Sequence, residues 1–226
     1  MSETRRAVTV TGLLLAVLLF AAGCSAPPGG WGDELIRSMG LERPSPERFT
    51  LCYNNGCAER ARIGLRPADW RLVRATFEPT PKSAAEERAR VAVAVAVLEI
   101  LSGKQAGTLD DVGGSMNFFL GTSQLDCVDE TANTTTYLVM MRDDGLLRWH
   151  DITGPAARGF FLMGWPHQSA VIRERKTGAS FVVDSWFFDN GVPATIVPVA
   201  TWMGAWWEPG AAPPPIKLAR RNPIKS

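Results

Sequence analysis

LDCVDETANTTTYLVMM, Leu125 to Met141, joins two halves of different character. An acidic turn carrying Cys127 opens it, and an apolar run closes it. Asp126 is suited to cap a helix, and DDG, Asp143 to Gly145, is suited to stop one. The stretch therefore predicts a helix from Cys127 to about Arg142. A thiol at a helix start differs from a thiol inside an apolar run. The positive end of the helix dipole and its free N–H groups favour S⁻ over SH. The same N–H groups can bind a developing oxyanion. Asp126, Asp129 and Glu130 oppose the thiolate, so they must be paired or turned away.

Working outward, the segment before this helix is helical and the segment after it is β-rich. RPADWRLVRATFEP predicts a helix opened by Pro67 and closed by Pro79. SAAEERARVAVAVAVLEILSGK predicts a long helix, with Ser83 and Glu86 as a capping box and Gly103 as its stop. Gln105 to Leu125 reads as a Gly-rich loop. Beyond Gly145, LLRWHDIT, HQSAVIRER and ASFVVDSWFFDN predict strands, with turns at Gly154-Pro155, Thr177-Gly178 and Asn190-Gly191. FTLCY, near residue 50, is a further strand candidate. The order is helices first, then an antiparallel sheet, which is the α+β class.

The N-terminus bounds the compartment. Arg5 and Arg6 precede an apolar run from about Ala7 to Ala22, and small residues lead into Cys24. This is the layout of an export signal, with an uncleaved N-terminal membrane anchor as the rival reading. FAAGC resembles the lipobox of bacterial lipoproteins, which implies cleavage after residue 23 and lipidation of Cys24. Ser25 in the next position implies the outer membrane in a Gram-negative host, with the protein on its periplasmic face. Residues 24–48, rich in Pro and Gly, then read as a tether, with DELIRSMG, Asp33 to Gly40, as a short helix candidate within it. Residues 49–208 read as one domain, and 209–226 as a Pro-rich, basic, disordered tail. Removing Arg5, Arg6 and Glu3 leaves the remaining chain formally neutral. Nothing in that balance favours nucleic acid. A monomer without cofactor or metal is expected.

Outside the cytoplasm thiols tend to pair. Cys52 and Cys57 flank an Asn-Asn-Gly turn that can bring them within bridging distance. A metal site is the rival reading, but the chain has 2 histidines and neither is near this pair. Cys127 is then the odd cysteine, either intermolecular or reactive.

A nucleophilic thiol needs a base and a group that orients the base. His150 ends an aromatic-rich strand and reads as a buried core residue. His167 starts a strand that turns and returns carrying Asp184. The order Cys127 at its helix, His167 in PHQSAVIRE and Asp184 in FVVDSW resembles the transglutaminase-like cysteine hydrolases. The resemblance covers about residues 124–190. It implies a papain-like fold, with the N-terminal helices, the cysteine helix among them, packed on the C-terminal antiparallel sheet. It also implies thiol chemistry on an amide of a protein or peptide. Asp189 or Asn190 could orient the base instead of Asp184. Gln124 is a candidate oxyanion donor, with an ordinary loop amide as the competing role. A two-residue Thr177-Gly178 turn would pair Val171 with Asp184. His167 would then sit too far from Asp184 unless a longer loop, bulge or bend intervenes. Trp202, Trp206 and Trp207 read as core and rim. The alternative to an enzyme is a non-catalytic lipoprotein using the same fold to bind a partner in the envelope.

Overall fold

A computed structural model describes residues 30–115, 123–159, 166–204 and 209–210. The elements run α1 (Trp31–Ser38), β1 (Phe49–Tyr53), β2 (Glu59–Ile63), α2 (Pro67–Ala75) and α3 (Ala84–Ala106), then α4 (Cys127–Asp143), β3 (His150–Arg158), β4 (His167–Glu174), β5 (Ser180–Asp184), β6 (Thr195–Pro198) and α5 (Val199–Met203). The last four strands form one antiparallel sheet in the order β3-β4-β5-β6, and β1 pairs with β2 in a separate hairpin. The class is α+β, as expected, and FTLCY is a strand as expected, paired with β2 in a small separate hairpin between α1 and α2.

The cysteine helix α4 is the axis of the fold. It packs on β4, on α1 and on β1, and every residue from Asp129 to Met141 is buried. Such a helix cannot be amphipathic, and its polar residues need internal partners. They have them. Asn133 accepts from the Cys52 N–H (2.7 Å) and donates to the Cys52 carbonyl (2.8 Å), so its amide continues the β1 backbone pairing. Thr131 returns its hydroxyl to the Cys127 carbonyl (2.6 Å). Thr134 bonds Ser185 at 3.0 Å. The apolar half, Tyr137 to Met141, joins Phe49, Leu51, Val91, Leu98 and Ile172 in the main core.

Several local expectations are corrected by packing. The segment expected as a tether over 24–48 is folded from Trp31 onwards. There α1 lies against α4 and β3, and Asp33 bonds Arg142 at 2.6 Å. Gly32 is the close-approach point: a Cβ there would stand 2.8 Å from Val139 Cγ2. Helix α3 does not stop at Gly103. It runs one turn further to Gly107, whose φ of 78° supplies the left-handed cap and returns its N–H to the Gly103 carbonyl. Ser83 caps α3 as expected, but Glu86 turns to the Lys82 N–H, so the box is only half formed. Gly154-Pro155 is not a turn. β3 continues through it with a register shift between Thr153 and Ala156. As an edge strand, β3 tolerates a proline without an N–H. Among the described residues no helix is long and apolar enough to cross a membrane. Cys24, the expected signal segment, Trp206, Trp207 and the tail from 211 lie outside the described residues.

Candidate active site

Cys127 is the first residue of α4. Asp126 caps the helix, accepting from the N–H groups of Val128 (2.9 Å) and Asp129 (3.0 Å), and Asp129 reciprocates to the Asp126 N–H (3.1 Å). The acids that oppose a thiolate are therefore occupied. Asp129 also accepts from Asn55 N–H (2.8 Å) and Cys57 N–H (2.6 Å). Glu130 accepts from the Ser185 hydroxyl. The thiol itself is buried, 8% exposed, against Trp186 and Phe187. Burial pushes its pKa up to about 12, with the fields of Asp126 and Asp184 adding to the shift. The N–H groups of Gln168 and of Cys127 itself act in the opposite sense.

The Gln168 contact brings the sulfur to the backbone of the residue that follows His167. That imidazole sits at the start of β4 among Trp186, Phe187 and Trp202, with ring centroids at 4.5, 5.4 and 5.3 Å. Its Nε2 bonds Asp184 Oδ2 at 2.7 Å. Its Nδ1 is buried and has no hydrogen-bond partner among the described residues. Thiol and imidazole thus share the neighbours Trp186 and Phe187, and no hydrogen bond joins them.

The His167–Asp184 contact depends on a register that the two-residue turn would not give. The observed pairs are Ala170 with Val183 and Val171 with Val182, two positions away from the expected register. The link between β4 and β5 is longer: Gly178 N–H bonds the Glu174 carbonyl, and Glu174 N–H bonds Ala179. Continuing the pairing puts Ser169 opposite Asp184 and leaves His167 diagonal to it on the same face. Diagonal neighbours are ~7–8 Å apart at Cα, within reach of an imidazole. Asp184 Oδ2 also accepts the Trp202 indole N–H at 2.8 Å. Sequence reasoning read Trp202 as core and missed this bond, since nothing in a tryptophan's sequence context marks the acceptor its N–H will meet.

The other candidates are engaged elsewhere. Asp189 accepts the Gly113 N–H (2.9 Å), and Asn190 donates to the Thr108 carbonyl (3.0 Å), so neither orients His167. Gln124 is buried, donating to the Asp110 carbonyl (3.0 Å) and accepting from Val112 N–H (3.1 Å). Its amide braces the 110–112 loop and is not offered to an oxyanion. His150 is a satisfied core residue at the far end of β3, between Glu87 (2.9 Å) and Arg88 (3.1 Å). Cys52 and Cys57 form a disulfide, and Cys127 is free. Among the described residues no set of three His, Cys, Asp or Glu side chains is arranged to hold a metal ion.

Beneath the site lies a group of buried carboxyls. Burial, with the field of neighbouring acids, raises Glu130 to about 7 and Asp111 to about 9, and lifts Glu99 well above its ordinary range. An open cavity of about 540 Å³ lies at the other end of α4, lined by Arg43, Trp70, Arg74, Asp143 and Asp144 among others. Its arginines are matched, Arg43 to Asp143 and Arg74 to Asp144, and it holds none of the chemistry at Cys127. The chain matches no protein-family model, no curated protein and no solved structure.

Proposed function

We propose that this chain is a lipid-anchored cysteine hydrolase or acyltransferase of the transglutaminase-like, papain-like kind, acting on an amide of a protein or peptide. The observation that carries the reading is His167: its Nε2 is held by Asp184, its Nδ1 is buried without a hydrogen-bond partner among the described residues, and its ring lies against the Trp186 and Phe187 that also cover Cys127. A core histidine that served only packing would have both nitrogens satisfied, as His150 does. In the proposed reaction His167 Nδ1 takes the thiol proton as sulfur attacks the amide carbon. The C=O electron pair moves to oxygen, against the N–H groups of the first turn of α4. The tetrahedral adduct collapses, and His167 gives its proton to the departing amine. A thioester remains on Cys127. Water or a second amine then loses a proton to His167 and attacks it, releasing the acid or the new amide and returning the proton to sulfur. Asp184, held by Trp202, keeps the imidazole in the tautomer that presents a bare Nδ1.

The raised thiol pKa favours proton transfer during attack over a standing thiolate. Such hydrogen bonds often tighten only when substrate is present. The same burial favours the second reading, a non-catalytic binding module with a packed thiol. Iodoacetamide separates the two. Cys127 alkylation with a midpoint below that of a free thiol (~8.5), lost in His167→Ala, supports the enzyme. A midpoint above that value and indifferent to His167→Ala overturns it. The anchor is tested apart: Cys24→Ser should move the protein from the membrane fraction to the soluble fraction, and unchanged fractionation would remove the lipid from the proposal.

A further inference from the structure

Arg158 ends β3 directly opposite His167. Residues opposed in an antiparallel pair project from the same face of the sheet. The guanidinium lies over the Trp202 ring, 4.3 Å from its centroid, and Nη1 donates to the Trp202 carbonyl. Trp202 in turn touches His167 and bonds Asp184. The cation is therefore stacked one ring away from the triad.

Among the described residues no carboxylate lies within ion-pair distance of Arg158, although Asp184 favours its charge from further off. Arg88 gives the contrast. It too covers an aromatic ring, that of Phe181, but Glu174 pairs with it at 3.1 Å. Arg158 is half-buried, and burial depresses its pKa. A half-buried guanidinium with donors to spare is costly unless an anion completes it. A guanidinium binds a carboxylate through two parallel hydrogen bonds.

Resting on the nucleophile reading above, we propose that Arg158 is the anion-binding residue of the Cys127 site and that the substrate carries a carboxylate next to the scissile amide. The carboxylate belongs to an acidic side chain or to a chain terminus.

The test compares iodoacetate with iodoacetamide on the full protein. In both, the Cys127 sulfur displaces iodide from the α-carbon, forming a thioether while the thiol proton leaves through His167. Only iodoacetate carries the carboxylate, so the ratio of the two rates cancels changes in the thiol's own reactivity. The ratio should fall about 3- to 10-fold in Arg158→Gln, as expected for one charge lost at short range in a partly desolvated site. Arg158→Lys should keep most of it. Acetylglycine carries a terminal carboxylate and acetylglutamate α-amide a side-chain one. Protection of Cys127 by one of them at tens of millimolar, lost in Arg158→Gln, supports the assignment and names the source. A ratio unchanged in Arg158→Gln, or protection by neither compound, overturns the inference alone. A wild-type thiol inert to both reagents overturns the nucleophile reading and this inference with it.

Discussion

The two histidines serve as each other's control. His150 is fully buried, with Glu87 and Arg88 on its two nitrogens. His150→Ala takes one partner from the Glu87 carboxylate, which keeps the Arg148 and Trp149 N–H groups, and one from Arg88, which keeps Glu174, so it should cost about 1–3 kcal/mol of stability. Thermal melts should show the loss, and iodoacetamide modification of Cys127 should be unchanged. His167→Ala also opens a hole, against Trp186 and Trp202, but its larger effect should be on the thiol. Removing a general base typically costs ~10²-fold or more in rate. Loss of Cys127 reactivity in the His150 variant alone would put the base at the wrong histidine. Trp202→Phe keeps a ring beside His167 and deletes the bond to Asp184, but it also leaves a cavity at a fully buried site. It should shift the pH profile of alkylation and lower the melting temperature as well, because it frees the orienting carboxylate and thins the packing on Val171 and Val182.

Among the elements, α4 was the most legible in the sequence and the β4–β5 hairpin the least. Asp126, Cys127 and Gly145 mark the ends of α4 by local chemistry, namely a side-chain cap and a left-handed stop. Local chemistry is carried by adjacent residues, so it can be read from one chain. The hairpin register is fixed by the length of the Arg175–Ala179 link and by the burial of Val182 and Val183, which no dipeptide signals. The His167–Asp184 pair was therefore legible as a set of residue types, but not as a distance. Gly103 shows the same limit. It looks like a helix stop, but Leu109, Thr108 and Asn190 close over it, and α3 continues to Gly107. Gly113 yields an element-scale prediction. A Cβ there would stand 2.3 Å from the Phe188 backbone, which cannot yield as a side chain tip can. Phe188 packs on the Cys127–Trp186–Phe187 group. Gly113→Ala should lower the melting temperature, with an overpacking cost of about 1–3 kcal/mol, and make Cys127 more accessible to alkylation. An unchanged melt would mean that the 110–114 loop is not braced on the site.

For the molecule as a whole, the buried acids set how stability responds to pH. Glu130 titrates near 7 and Asp111 near 9 in the folded chain, because burial penalises their charged forms. Unfolded, both would titrate near ~4. The folded state thus holds these protons more tightly than the unfolded state. Their contribution to stability is complete below about pH 4 and is lost as pH rises through about 7 for Glu130 and about 9 for Asp111. Each proton so held gives a slope of up to ~1.4 kcal/mol per pH unit between the two pKa values. The melting temperature should accordingly fall from pH 5 to pH 8. Restricting the range to pH 8 keeps the Cys127 thiol, raised to about 12, out of the comparison. Glu130→Gln stays neutral throughout and can still accept the Ser185 hydroxyl. It should flatten the slope between pH 5 and 7 and leave the variant more stable than wild type at pH 8. Asp111→Asn should act likewise, but across the whole range from pH 5 to 8. Melts of the three proteins at pH 5, 6, 7 and 8 would show it. A slope in Glu130→Gln equal to that of wild type would mean that Glu130 is already ionised at neutral pH. Its negative charge would then stand beside Asp184, beneath the thiol.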